Sequence, residues 1–327
     1  MIDVEELMTR AVAEGEKARY HAPPNPWVGA VVVDARGHIV GVGHTQIPGD
    51  AHAEVVALRD AGAAAHGATL VVTLEPCSHT GRTGPCTEAI IEAGISSVVV
   101  GTLDPDPRVA GSGAQALRDA GVEVSVGVAE SVVREQLAAY LWHRETGRPY
   151  VILKVAATLD GVVAMLDGSS QWITGEAARR DAHVLRARSQ AIIVGSGTVR
   201  RDDPRLTARL DGVVLEPLRV VLGHAPSDAK VHPCWERSGD IGAVLDELGA
   251  NGVLQALVEG GPKTASAFIA AGVVNRIVWY AAPALAGSTG TVGAFVDLTT
   301  STIGDLRRGR LVDVRVVGED VRIELEV

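Results

Sequence analysis

Between His52 and Cys86 the sequence carries one imidazole, one carboxylate and two thiols: H-A-E at 52–54, T-L-E-P-C at 73–77, and P-C at 85–86. Few folds satisfy that order. For the four groups to meet, a helical pattern opening at His52, a strand ending before Cys77 and a helical pattern opening at Cys86 must all end at one point. A catalytic zinc takes three nitrogen or sulfur ligands and keeps its fourth position for water. His52, Cys77 and Cys86 supply that count. Glu54, two residues past the imidazole, is then placed to move protons from an attacking water onto a departing amine nitrogen. His52 and Glu54 fall in a first helical turn with free N–H groups, and a helix N-terminus depresses a thiol's pKa. The competing reading is two buried free cysteines beside a solvated H-x-E.

At 327 residues the chain is long enough for two domains with separate cores. No apolar run approaches the roughly 18 residues of a membrane span. The first twenty residues read as an acidic amphipathic helix without a signal-peptide layout, so a cytoplasmic protein is expected. Two of its three cysteines belong to the metal motif, which leaves only Cys234, a small buried or half-buried hydrophobe, and no disulfide framework. A net charge of −10, no Lys/Arg block and 3% aromatic residues argue against a nucleic-acid groove. A small-molecule substrate fits better.

Taken in order, the apolar spacing predicts a helix over 2–20, a proline-rich turn, N-P-W-V-G leading into a strand that ends near 34, and a second strand at 38–43. The apolar segment 69–74 precedes Cys77. Strands at 98–101 and 122–126 flank a helix at 114–120, which implies a mixed sheet between helices. The loop D-P-D-P-R-V-A-G-S-G at 104–113 follows a strand, where substrate loops occur. A helix over 130–144 ends at E-T-G-R-P, placing the domain boundary between 1–146 and 147–327. The second domain opens on the apolar strand Y-V-I-L-K-V-A-A-T, in which Lys154 is costly to bury without an anion. It continues with a helix at 176–188, a strand at 191–199, a loop at 200–207, and V-E-G-G-P-K-T-A between a strand at 253–258 and a helix at 264–272. Two antiparallel strands, 311–317 and 321–327, close the chain. Neither a G-x-G-x-x-G fingerprint nor a Walker loop is present.

The motif at 52–86 departs from the H-x-E…P-C-x-x-C signature of zinc nucleobase deaminases by placing eight residues between its cysteines. In that form, with N-P-x-V-G at 25–29 and the 104–113 loop, it resembles the deaminase half of the bifunctional riboflavin-biosynthesis deaminase/reductase family, where the pattern reads approximately HAE…LEPCxHxGRTxPC. K-x-x-x-[ST]-L-D-G from Lys154, S-Q-W-I-T from Ser170, the array from Gly195 through D-D-P-x-L-T-x-R, and V-E-G-G-P from Val258 resemble its reductase half. The resemblance spans nearly the whole chain, in the family's order. It implies an α/β protein, with a cytidine-deaminase-like zinc domain followed by a dihydrofolate-reductase-like domain that binds NADPH without a Rossmann motif. The implied chemistry is deamination of a phosphoribosylated diaminopyrimidine and then reduction of its ribosyl group to ribityl.

The same resemblance implies zinc on His52, Cys77 and Cys86, with Glu54 as acid and base. It implies substrate contacts from Asn25, Lys154, Ser170, Arg186, Leu206, Arg209 and Glu259. Cofactor contacts are implied for Ala157, Trp172, Thr198, Asp202, Gly261, Pro262, Lys263, Thr264, Ala265, Ser266 and Ala267. Bland readings stand beside these: Asn25 as a turn residue, Arg186 as a solvated helix charge, Trp172 as a core aromatic. Four departures from the family pattern occur, Gly84 for proline, Asp106 for asparagine, Thr158 for serine and Gly223-His224 for an Asp-Ser of the cofactor pocket. The expected partner is the small phosphorylated pyrimidine, with no nucleic acid or membrane, and any oligomer would join identical chains. Two rivals are a nucleoside or nucleic-acid deaminase with an accessory binding domain, and a protein whose fully coordinated zinc is structural.

Overall fold

A computed structural model describes residues 3–79, 84–106, 109–165, 167–210, 212–287, 289–298 and 300–327. The T-G-R-T segment at 80–83, between the two cysteines, and Pro107 and Arg108 of the 104–113 loop lie outside the described residues. Contacts divide the chain into two units, Met1–Gly147 and Arg148–Val327.

The first unit runs α1 (Val4–Glu16), β1 (Gly29–Val33), β2 (Ile39–His44), α2 (Ala53–Ala61), β3 (Thr69–Leu74), α3 (Cys86–Glu92), β4 (Ser97–Thr102), α4 (Ser112–Asp119), β5 (Glu123–Val126), α5 (Glu130–Gln136) and α6 (Ala138–Thr146). Its sheet has the order β2-β1-β3-β4-β5. β1 is antiparallel to β2 and β3, whereas β3, β4 and β5 run parallel. Every position of β1 is buried, as an apolar strand covered on both faces requires. Two glycines of β2 let α2 lie directly on the sheet. A Cβ at Gly41 would come within 2.3 Å of the Ala57 carbonyl oxygen, and one at Gly43 within 2.3 Å of that of Ala53. This close approach aims the N-terminus of α2, and hence His52, at the end of β3.

Two helices differ from the periodicity. α1 is shorter than the predicted 2–20: Asp3 caps it by accepting the Glu5 N–H at 3.1 Å, and residues 17–22 continue only as turns. Pro23 and Pro24 cannot donate backbone hydrogen bonds, and a proline disfavours helix in the residue before it. The predicted helix at 130–144 is two helices, α5 and α6, parted at Leu137, where ψ is 9°. There the Gln136 carbonyl accepts from the Trp27 indole at 3.0 Å and from Arg19 at 2.8 Å.

The second unit contains β6 (Tyr150–Thr158), β7 (Val162–Met165), α7 (Glu176–Arg188), β8 (Ala191–Gly195), α8 (Ser196–Asp202), β9 (Ala208–Leu210), β10 (Val213–Leu215), β11 (Leu218–Leu222), β12 (Trp235–Arg237), α9 (Ile241–Ala250), β13 (Gln255–Val258), α10 (Pro262–Ala270), β14 (Arg276–Ala282), β15 (Thr291–Gly293), β16 (Arg310–Val317) and β17 (Asp320–Glu326). Eight strands form one sheet in the order β12-β11-β8-β13-β6-β14-β17-β16. Pairing is parallel from β12 to β14 and antiparallel across β14, β17 and β16. Val151, Leu153, Ile193, Leu245, Leu248 and Phe268 fill its core. The predicted strand at 191–199 stops at Gly195, and S-G-T-V opens α8 instead. α10 starts two residues before the predicted 264, with Pro262 in its first turn, where proline's missing N–H costs no bond.

Candidate active sites

His52 caps α2 with extended backbone, φ −76° and ψ 166°, and presents Nδ1 at 3.3 Å from Cys86 Sγ and 3.7 Å from Cys77 Sγ. Cys86, the first residue of α3, donates its N–H to Cys77 Sγ at 3.4 Å. All three ligand atoms lie within 4.8 Å of one another. Bond lengths of about 2.0–2.1 Å to nitrogen and 2.3 Å to sulfur put tetrahedral N···S edges near 3.6 Å, so the two imidazole–thiol distances match those of a zinc site. Hydrogen bonding from Cys86 and His52 holds the Cys77 thiol well below its usual range, at about 4 despite its burial. The hydrogen bond to Cys77, together with burial, pushes the Cys86 thiol up. Glu54 is only 4% exposed, and burial raises its carboxyl above the ordinary range, with the neighbouring Cys77 charge adding to the shift and His52 opposing it. A carboxyl so placed takes up and gives back a proton more readily than a solvated one.

Glu75, the residue before Pro76 and Cys77, belongs to the motif but carries no role in it from the sequence. Its carboxylate is buried and accepts the N–H groups of Gly111 at 2.9 Å, Ala114 at 3.0 Å and Asp104 at 3.3 Å. A Cβ on Gly113 would lie 1.9 Å from the Pro76 carbonyl oxygen. Ser78 and Ser112 share a 2.8 Å hydroxyl contact, and the Tyr140 hydroxyl donates to Asp104 at 2.9 Å. The described part of the 104–113 loop is therefore bound to the cysteine-bearing turn. An acidic residue ending an apolar strand was the available signal. Asn25 is half-buried in the turn before β1, its N–H donating to the Ala22 carbonyl at 2.8 Å.

In the second unit the helices α8 and α10 begin at the C-terminal ends of adjacent parallel strands, β8 and β13, the edge at which open α/β sheets bind ligands. The two beginnings touch. The Gly261 N–H donates to Thr198 Oγ1 at 3.2 Å, and Cβ atoms at Gly195 and Gly260 would come within 2.5 Å and 2.4 Å of the Thr264 side chain. Close-packed glycine backbone at a helix start suits a dinucleotide's phosphates. Ala265 and Ser266 turn away from this end. Ala265 belongs to the core, and Ser266 Oγ accepts the Val296 N–H at 2.8 Å. Contact with a cofactor would come from the Gly261–Thr264 turn and the exposed Lys263 and Ala267 side. Asp202 ends α8, its carboxyl raised by burial, and Ala157 is buried near the end of β6. Trp172 is 70% exposed with the Arg179 guanidinium 4.7 Å from its ring, so it is not a core aromatic.

Leu153 pairs with Val258, which sets Lys154 level with Glu259. Glu259 receives Arg186 in a two-pronged ion pair, Nε at 2.6 Å and Nη2 at 2.9 Å, so Arg186 is not a solvated helix charge. Burial alone would raise the Glu259 carboxyl, yet Arg186 and then Lys154 bring it down to about 2. Burial and the Arg186 charge lower Lys154, against the attraction of Glu259. One carboxylate thus faces two cations. Arg186 Nη1 also donates to the Thr207 carbonyl, beside the buried Leu206 with its φ of 54°. Arg209 is exposed, donating to Thr207 Oγ1 at 2.9 Å and touching His183 at 3.0 Å. Ser170 is half-buried in the segment leading to α7. The structure brings Lys154, Arg186 and Glu259 together and sets Arg209 beside Thr207.

Residues 1–102 match the family profile described as the cytidine and deoxycytidylate deaminase zinc-binding region, and residues 149–323 match the RibD C-terminal domain. The chain belongs to the RibD family. It is 45% identical over 333 residues to riboflavin biosynthesis protein RibD of Mycobacterium tuberculosis (strain CDC 1551 / Oshkosh), covering 98% of this chain and 97% of that one. Its identity to the RibD of Aquifex aeolicus is 40% over 346 residues, covering 97% and 96%. Among solved structures, Acinetobacter baumannii RibD superposes with a TM-score of 0.92 at 36% identity over 99% of this chain and 98% of that one. A Thermotoga maritima structure described as a diaminohydroxyphosphoribosylaminopyrimidine deaminase/5-amino-6-(5-phosphoribosylamino)uracil reductase gives 0.88 at 33% identity, covering 99% and 98%. As a member of that family, the chain is a bifunctional riboflavin-biosynthesis enzyme, a zinc-dependent deaminase followed by an NADPH-dependent reductase. The match at 149–323 displaces the alternative of a deaminase with an accessory binding domain. Among the described residues no helix is long and apolar enough to cross a membrane.

Proposed function

We propose that residues 1–146 hydrolyse an exocyclic amine of 2,5-diamino-6-(5-phosphoribosylamino)pyrimidin-4-one and that residues 147–327 then reduce the ribosyl group to ribityl. The observation that carries this reading is the junction of His52, Cys77 and Cys86 within 4.8 Å, with the buried Glu54 two residues along. When bound, zinc supplies a hydrolytic nucleophile at neutral pH by lowering the pKa of a water to about 7, and NADPH supplies the hydride. His52, Cys77 and Cys86 hold the metal. Glu54 takes the proton from the attacking water and passes it to the departing nitrogen, while Asn25 and the loop anchored on Glu75 orient the ring. In the second unit Lys154 and Arg186, with Arg209, hold the anionic phosphoribosyl group, Glu259 fixes the Arg186 fork, and Ser170 and Leu206 border the substrate. The dinucleotide lies along Ala157, Trp172, Thr198, Asp202 and the Gly261–Thr264 turn, extending to Ala267. A cytoplasmic setting suits a chain that needs reduced thiolates.

The test measures zinc content alongside ammonia release from the diaminopyrimidine phosphoribosyl substrate. One catalytic zinc per chain and steady ammonia release are expected. If fresh protein holds no transition metal and added zinc restores neither metal nor ammonia, the assignment fails.

A further inference from the structure

A second set of donors lies at the open edge of the eight-stranded sheet, where β12 is the terminal strand. H-P-C-W-E at 232–236 alternates His232, Cys234 and Glu236 with Pro233 and Trp235. β12 begins at Trp235, so Glu236 lies on the strand, while His232 and Cys234 come from the bend that leads into it. One donor atom from each lies within 4.8 Å of the other two. We propose that His232, Cys234 and Glu236 form a second transition-metal site of the zinc class, three protein ligands with the fourth position open to water.

The surrounding contacts preorganise these donors. His232 Nε2 is 2.9 Å from the Pro226 carbonyl oxygen. A carbonyl can only accept, so Nε2 carries the hydrogen and the neutral ring's lone pair is on Nδ1, which sits 3.5 Å from Cys234 Sγ. A ligating histidine characteristically donates its other ring N–H to a carbonyl in this way. The Glu236 carboxylate is held likewise: Oε1 accepts the Ala225 N–H at 3.0 Å, and Oε2 is 2.6 Å from His224 Nδ1. These two contacts fix the position of the carboxylate beside His232 and Cys234. Imidazole with thiolate and carboxylate selects zinc-like ions over magnesium or calcium, which prefer all-oxygen shells. Cys234 is half-buried, so an ion from solvent can reach it and shield it in turn.

The test uses the full-length chain and alkylation by iodoacetamide followed peptide by peptide, so that Cys234 is read apart from Cys77 and Cys86. Added zinc should protect Cys234, while magnesium should not. His232→Ala should abolish that protection, and His224→Ala should raise the zinc concentration for half-protection by about 10–100-fold, the usual effect of removing a group that orients a ligand. Independently, saturating zinc should load wild type with one more equivalent than Cys234→Ser. Equal alkylation of Cys234 with and without zinc, equal metal content of wild type and Cys234→Ser, or equal protection by magnesium would each overturn the proposal.

Discussion

Glu54 sits two residues past an imidazole that faces two thiols, and its burial separates its role from theirs. Glu54→Gln keeps the shape and removes only the proton-carrying group. It should retain zinc and lose about 10²–10⁴ in ammonia release, the scale of a positioned acid and base; near-normal turnover would end the proton-transfer role. A different balance holds at Glu259, whose carboxylate answers Arg186 and Lys154. Glu259→Gln leaves the Arg186 charge without its partner, and one-sided removal from a buried pair costs about 3–5 kcal/mol. Because the folded carboxyl titrates at about 2, below its unfolded value, its contribution is complete above the unfolded pKa and fades as pH falls toward 2. Melting temperature against pH should show wild type falling steeply across that acid window and the glutamine variant starting lower and falling less. Parallel curves would refute the coupling.

Helix placement depends on atoms absent from the sequence pattern. α2 reaches the site because Gly41 and Gly43 admit its backbone, and the 104–113 loop stays beside Cys77 because Glu75 gathers its N–H groups. Gly113→Ala tests the second arrangement. Its methyl would enter the Pro76 carbonyl, so α4 must shift at an overpacking cost of about 1–3 kcal/mol. Ammonia release should fall through a higher KM while NADPH oxidation with supplied intermediate stays unchanged. An unchanged melting temperature together with an unchanged KM would mean that this contact does not hold the loop.

For the whole molecule, the proposed assignment places each chemistry in a unit with its own sheet, and the two should separate by mutation. Cys86→Ser should abolish ammonia release yet oxidise NADPH when given the deaminated intermediate. Lys154→Ala should release ammonia normally and accumulate that intermediate, since loss of one charged contact to an anionic substrate costs about 1.5–3 kcal/mol. Ammonia and NADPH progress curves on both variants decide it. Loss of ammonia release in Lys154→Ala with reduction intact would invert the assignment of the units.

Local signals read well where one residue type has one physical use. H-A-E opening α2, the apolar strand at 69–74, Cys86 opening α3 and the break after Thr146 were all legible from order and spacing. Those positions are fixed by capping, period and turn chemistry, which act over a few residues. What only the tertiary structure decided acts over long separations: Arg186 meets Glu259 across 73 positions, the Ala114 N–H meets Glu75 across 39, and the Trp27 indole takes the Gln136 carbonyl across 109 where the helix parts. No local pattern encodes such pairs, because a buried charge or carbonyl is satisfied by whichever group the packed sheet brings to it.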